Sequence, residues 1–348
     1  MMKHLHIIID GMDDEPIPAF GGLHPSYFAD MPALRYMREH GIVSQQKTIP
    51  PGCIPGTEAA ILNILGYELQ SCFGTRSWFE ALGAGIHVNN NDLCLRCNLI
   101  RHDDGVITSH SGMDVSVSEC MKIVKDLNEH FGSKEKEFYG TGDFRCLMIL
   151  RDCVANVTAN PPHTLVGRDV SNLLISSDNP NLSEMLNGII VDSQKVLARY
   201  PSNGISLWAP GRPIHISKKT SGAVISRVNL LKGIGRALGM TVIDVEGATG
   251  DDSTDYSAKL NAAIKGLEDF DFVLMHIEAP DEASHQKDSF KKVRILEEID
   301  RKLLSHLLNQ NINLDITVQS DHVTSSLSGQ HHDWPVEVIK YKLRINEE

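Results

Sequence analysis

The chain has no apolar run near the roughly 18 residues that a membrane-spanning helix requires. It also has no block or stripe of basic residues, and no second CxxC to accompany Cys94-x-x-Cys97. The first absence argues against a transmembrane span. The second argues against a dedicated nucleic-acid surface, since 45 acidic residues outnumber 33 basic ones and give a formal net charge of −12. The third weakens a zinc or redox reading of the cysteine pair. That segment is strand-like, and residues i and i+3 of a strand face opposite ways, so core cysteines are expected. Seven cysteines, odd in number and scattered, suggest reduced thiols in a cytoplasmic setting rather than a disulfide framework. The start "MMKHLHIIIDG" is basic, but its apolar run is too short for a signal peptide and no small-residue cleavage site follows. It reads as a first strand, with His4 and His6 structural. "GATG" at 247–250 lacks the lysine of a Walker loop. No internal repeat, low-complexity tract or flexible linker interrupts the chain.

What is present is ordinary for a globular protein: 348 residues, 41% hydrophobic and 22% charged, enough for a well-buried core and for two domains. Strand-like and helix-like patterns alternate, which predicts an α/β sheet with helices on its faces. "PALRYMREHGI" reads as a helix closed by Gly41. "TIPPGCIPGTEAAILNILGYE" reads as a loop followed by a helix with Thr57 at its N-terminus. In the middle, "DLCLRCNLIRHD", "GVITSH", "KEFYGTGDFRCLMIL" and "DCVANVTA" look like strands around one helix, "VSECMKIVKDLNEHF". The expected organisation is a core of residues 1–85 and 203–348 with an inserted α+β module at 86–202. "LSEMLNGIIVDSQKVLARY" leads back to the core, where "AVISRVNLL", "GMTVIDV", "FDFVLMHIE" and "LDITVQS" read as strands.

Three short apolar runs end in metal-type ligands: "LHIIID" at Asp10, "DFVLMHIEAPDEASH" with Asp281 and His285, and "DITVQSDH" at Asp321 and His322. In open α/β sheets, ligands sit outside the carboxyl ends of the strands. Side chains hundreds of residues apart can therefore meet there. Each motif also has a structural reading. Asp281 could cap a helix start, Asp10 before Gly11 could begin a turn, and Asp321-His322 points to one site only if the strand has already turned. Together they favour cations, because burying three unpaired carboxylates is prohibitive. Thr57 carries two compatible readings, a helix N-cap and a nucleophile activated by coordination. One of His331 and His332, in a nearby polar loop, could complete the ligand set.

The stretches "IIIDGM", "PGTEAAILNILGYE", "RCNLI", "PPH", "AVISRVNLLKGIG", "GATG", "HIEAPDEASH", "SDH" and "HHDWPV" run almost the length of the chain. In them the chain resembles the archaeal-type, cofactor-independent phosphoglycerate mutase family of the alkaline phosphatase superfamily. The resemblance implies a three-layer core with a mixed, mostly parallel sheet, and an inserted small α+β cap domain. It implies two divalent metal ions (manganese, magnesium or zinc) and no organic cofactor. One ion would take Asp281, His285 and His331; the other would take Asp10, Asp321, His322 and the Thr57 oxygen. His331 is preferred to His332 because it stands four residues before the "PV" proline, as in the family motif. Three ligand carboxylates against two divalent ions leave about +1, suited to an alkoxide and a phosphate. Thr57 would attack a phosphomonoester and pass the phosphoryl group on, as a mutase in glycolysis interconverting 2- and 3-phosphoglycerate. Arg96, Arg145 and His163 would meet substrate, with Arg76 and Lys232 at further matching positions. Surface ion pairs are the other reading of Arg96 and Arg145.

Departures from the family pattern lie mostly on the substrate side. The nucleophile is Thr rather than Ser, Met113 replaces a histidine, "YRH" reads Phe144-Arg145-Cys146, "PHD" reads Pro162-His163-Thr164, and the usual "TP" reads Thr324-Ser325. A related phosphotransferase or phosphomonoesterase for another small phosphorylated metabolite, such as one making homoserine phosphate, is the nearest alternative. A non-catalytic metal-binding protein is the second.

Overall fold

The computed structural model describes residues 2–67, 75–112, 115–142, 144–216 and 219–345, so Met113 lies outside the described residues. The chain forms two compact units. Met1–Ser71 and Ile216–Glu348 make one, and Cys72–His215 makes the other.

The first unit is built on a seven-stranded sheet in the order Thr241–Val242, Ala223–Ile225, Phe272–Ile277, Lys3–Ile9, Leu314–Gln319, Val336–Leu343, Ile42–Gln46. The first five strands are parallel, and the last two join antiparallel. Lys3–Ile9 sits centrally because Leu5, Ile7, Ile8 and Ile9 are buried on both faces, as a doubly covered strand demands. The helices Pro32–His40, Tyr256–Asp269 and Ser289–Ile299 cover one face, their Leu34, Met37, Leu260, Ala263 and Leu296 sharing a core with Leu5, Ile7 and Ile9. On the other face the helix Asn229–Ala237 seats Gly235 against Val224, so tightly that a Cβ there would stand 2.4 Å from Val224 Cγ1. Helix, sheet and helix give the mixed, mostly parallel α/β architecture.

His4 and His6 point to the same face as Thr317 and Gln319 of the neighbouring strand. They bond to those residues at 3.0 and 3.2 Å. Burial pushes the His6 imidazole down to about 3, so it is held neutral.

Some strand expectations are corrected. Only Ala223–Ile225 of "AVISRVNLL" is strand; from Asn229 it is helix, since Leu230, Leu231 and Ile234 recur at helical spacing. "GMTVIDV" contributes only Thr241–Val242. In the second unit "DCVANVTA" contributes only Val157–Thr158.

The second unit is an antiparallel sheet in which Leu93–Asp103 pairs Val106–Ser109, Arg145–Leu150 and Gly204–Gly211, while Arg145–Leu150 also pairs Lys136–Tyr139. The helices Val117–Phe131 and Pro180–Val196 pack on one face through Cys97, Leu99, Cys120, Ile123, Met148 and Leu186. Ser116 caps the first of these, its hydroxyl accepting from Glu119 N at 3.2 Å. On the opposite face lies the helix Arg76–Gly83, which packs on Leu93–Asp103 and Gly204–Gly211. Through those contacts the helix belongs to the unit Cys72–His215.

Candidate active site

Phe272–Ile277, Lys3–Ile9 and Leu314–Gln319 are adjacent and parallel, with Ile9 opposite Ile277 and Ile8 opposite Gln319. Their carboxyl ends therefore finish at one level. Asp10, Glu278 with the helix Ala279–His285, and Asp321-His322 emerge there side by side. Glu278, not Asp281, is the residue preceding that helix. Asp281 and His285 lie in it at i and i+4 and so share a face. The capping role weighed for Asp281 is thus not the one it takes.

Two ligand groups result. Asp281, His285 and His331 form one, and Asp10, Asp321 and His322 the other; within each, one oxygen or nitrogen per residue lies within 4.8 Å of the others. In the first, His285 Nε2 and His331 Nε2 stand 3.2 and 3.3 Å from the two Asp281 oxygens. In the second, His322 Nε2 is 3.7 Å from Asp10 Oδ1 and 3.4 Å from Asp321 Oδ2. The His322 and His331 rings stack at 3.9 Å, bringing the groups together. His332 turns away and stacks on Trp334 at 4.1 Å.

Thr57 is the first residue of the helix Thr57–Ile64, and the N-cap position before it is Gly56. The N-cap reading is corrected accordingly. Its Oγ1 stands instead 3.5 Å from His322 Nε2.

Electrostatics favour a cation. Burial, then the Asp281 and Asp321 charges, hold the Asp10 carboxyl well above the usual range. Burial also pushes Asp281 up, but His285 and His331 more than offset it and hold that carboxyl well below. Burial lowers the His285 imidazole, yet Asp281 and the Gly329 carbonyl lift it to about 9. Burial pushes His322 down to about 4, leaving it neutral, as a ligand must be. Asp10 Oδ1 and both Asp321 oxygens are buried with no N–H or hydroxyl donor among the described residues. Such orphaned oxygens are costly, and a bound cation resolves the cost. Mixed carboxylate and imidazole donors suit a divalent cation.

Sequence reasoning missed the supporting residues. Buried His276 puts Nε2 3.2 Å from Asp10 Oδ2 and Nδ1 3.2 Å from Glu278 Oε1. Glu278 is paired in turn with fully buried Lys259 at 2.8 Å and accepts from Ser226 Oγ at 2.9 Å. His285 Nδ1 meets the Gly329 carbonyl at 2.9 Å, which fixes its ring. The signal for the first of these was available. His276 and Glu278 stand two apart at a strand end, where alternate side chains share a face.

In the second unit, Arg96 and Asn98 share the sheet face opposite the apolar core, and Arg145 is registered beside Asn98. The Arg96 guanidinium lies 4.7 Å over the Trp208 ring and 3.0 Å from Glu80; Arg76 is 3.4 Å from Glu80. His163 is 6.0 Å from Trp208, and Arg145 stacks 4.4 Å over Phe144. Arg76, Arg96 and His163 thus gather around Glu80 and Trp208. Cys146 faces the apolar core with its Sγ 3.4 Å from Cys120 Sγ. Lys232 pairs with Asp244, not with a residue of either ligand group.

Residues 39–203 match the family model described as 2,3-bisphosphoglycerate-independent phosphoglycerate mutase. The chain is 33% identical to the 2,3-bisphosphoglycerate-independent phosphoglycerate mutase of Methanosarcina barkeri, over 98% of this chain and 90% of that one. It is 30% identical to a probable enzyme of the same name from Geobacter sulfurreducens, over 99% and 92%. Among solved structures, the PH0037 protein from Pyrococcus horikoshii superimposes with a TM-score of 0.79 at 26% identity, covering 98% of this chain and 87% of that one.

Proposed function

The chain belongs to the 2,3-bisphosphoglycerate-independent phosphoglycerate mutase family, and from that premise we propose that it interconverts 2- and 3-phosphoglycerate through a phosphothreonine at Thr57. The observation that carries the reading is the Thr57 hydroxyl, 3.5 Å from His322 Nε2 and at the start of a helix. That position offers backbone N–H groups and a favourable dipole to an incoming phosphate.

Asp281, His285 and His331 would hold one divalent ion, and Asp10, Asp321 and His322, beside the Thr57 hydroxyl, would hold a second. Manganese, magnesium and zinc all suit the donors. When bound, the ions lower the hydroxyl pKa and neutralise charge on the transferring phosphoryl group. Thr57 Oγ1 forms a bond to the substrate phosphorus as the ester oxygen–phosphorus bond breaks, and the proton lost by Thr57 ends on the departing glycerate hydroxyl. The neighbouring hydroxyl of the same glycerate then attacks the phosphothreonine, and Thr57 recovers its proton. Buried His276 and Glu278 keep Asp10 oriented throughout. Arg96, Arg145, His163 and Arg76 recognise the carboxylate and phosphate, which arginine grips bidentately. Lys232 is a further contact in the family pattern. Arg76, Arg96, Arg145 and His163 belong to the Cys72–His215 unit. A small phosphorylated metabolite and reduced thiols suit a cytoplasmic location, and no helix among the described residues is long and apolar enough to cross a membrane.

The test is acid quenching after incubation with 3-phosphoglycerate and manganese, followed by peptide mass spectrometry. Phosphothreonine at 57 and loss of mutase turnover in Thr57→Ala are expected. Full turnover by Thr57→Ala rejects the role. Release of inorganic phosphate without isomerisation points instead to a phosphomonoesterase.

A further inference from the structure

Thr324 makes side-chain hydrogen bonds with ligands of both groups. Its hydroxyl donates to Asp281 Oδ1 at 2.7 Å and lies 3.1 Å from His322 Nδ1. It is fully buried, and its backbone is fixed from three directions. Thr324 N donates to the Asp13 carbonyl at 3.1 Å, Lys292 Nζ donates to the Thr324 carbonyl at 3.0 Å, and the strand Val323–Thr324 registers Thr324 opposite His331. Lys292 is itself buried and paired with buried Asp14 at 2.7 Å, so this anchor does not move with solvent.

A hydroxyl has one proton to give and lone pairs to accept with. The Thr324 hydroxyl gives its single proton to Asp281 Oδ1. The polarity of the chain then requires His322 Nδ1 to be the N–H that donates to Thr324 Oγ1. His322 Nε2, which faces Asp10, Asp321 and Thr57, is left as the lone-pair nitrogen. Resting on the dinuclear reading above, we propose that Thr324 serves both metal subsites, fixing His322 in its ligating tautomer and holding Asp281 with one and the same hydroxyl.

The experiment is calorimetric titration of the chelator-stripped protein with manganese alone, with thermal melting of the metal-free forms beside it. Wild type and Thr324→Ser are expected to bind two ions with similar affinities. In Thr324→Val, of nearly equal volume, both affinities fall about 10- to 100-fold. A wild-type isotherm from T324V overturns the proposal, as does an equal loss in T324S. Loss of affinity in T324V that merely tracks a lower metal-free melting temperature also overturns it, since the role is then structural. Fewer than two ions on wild type sinks the dinuclear reading itself. A measurement on wild type needs no variant: nitrogen-15 imidazole spectra of the zinc-loaded protein are expected to place the His322 proton on Nδ1. A proton on Nε2 overturns the proposal.

Discussion

Gly11 and Asp281 touch backbone to backbone: a Cβ added to Gly11 would stand 2.6 Å from the Asp281 Cα and 2.8 Å from its nitrogen. Gly11 also holds φ at +69°, in the left-handed region that favours glycine. The turn after Asp10 thus brings one ligand group against the helix that carries the other, and only a residue without a side chain allows it.

Gly11→Ala is therefore expected to lose stability on two grounds. The left-handed backbone alone costs about 1–2 kcal/mol, and the clash with rigid backbone adds to it. Manganese affinity falls as well, because Asp10 and Asp281 are forced apart. Urea denaturation and calorimetric titration read the two effects; an unchanged manganese isotherm contradicts the second.

Lys259 and Glu278 form a buried ion pair behind His276 and Asp10. Lys259 and His276 pull Glu278 well below the usual carboxylate range in spite of burial. Removing one partner strands the other charge, so Glu278→Gln is expected to cost about 3–5 kcal/mol. Lys259→Met combined with it restores part of the loss. A double-mutant cycle by denaturant unfolding measures the coupling, and strictly additive losses refute it.

His6 sets a pH dependence. Its ordinary value of 6.5 is lowered to about 3 in the folded protein, chiefly by burial. Below pH 6.5 the unfolded chain binds a proton that the folded chain refuses until about pH 3. Stability therefore declines as pH falls through that window, by about 1.4 kcal/mol per unit for this group. His6→Gln, which still reaches Gln319, is expected to flatten the decline. Unfolding free energies at pH 7 and pH 5 are expected to differ by about 2 kcal/mol less in the variant than in wild type; equal differences refute the assignment.

Arg145 stacks on Phe144 on the polar face that also carries Arg96 and Asn98. If it grips a substrate anion, Arg145→Ala raises KM by about tenfold or more with little effect on folding, the scale of one charged hydrogen bond. Steady-state kinetics with 3-phosphoglycerate measures it. An unchanged KM assigns Arg145 to surface packing alone.

The sequence by itself determined which side chains can bind a cation and on which elements they ride. Apolar runs ending in Asp10, in Asp281 with His285 and in Asp321 with His322 are local patterns, readable because strand burial and metal chemistry each select few residue types. The helices Pro32–His40 and Val117–Phe131 were legible for the same reason. Tertiary structure alone decided what depends on neighbours remote in the chain. It set Gly204–Gly211 beside Leu93–Asp103, added Val336–Leu343 as an antiparallel strand, and stacked His331 on His322. It placed Thr57 against His322 rather than over its own helix, and put the Thr324 hydroxyl between the two ligand groups. Hydrogen bonds between residues tens to hundreds of positions apart leave no periodicity in a sequence, because only the closed sheet defines their distances.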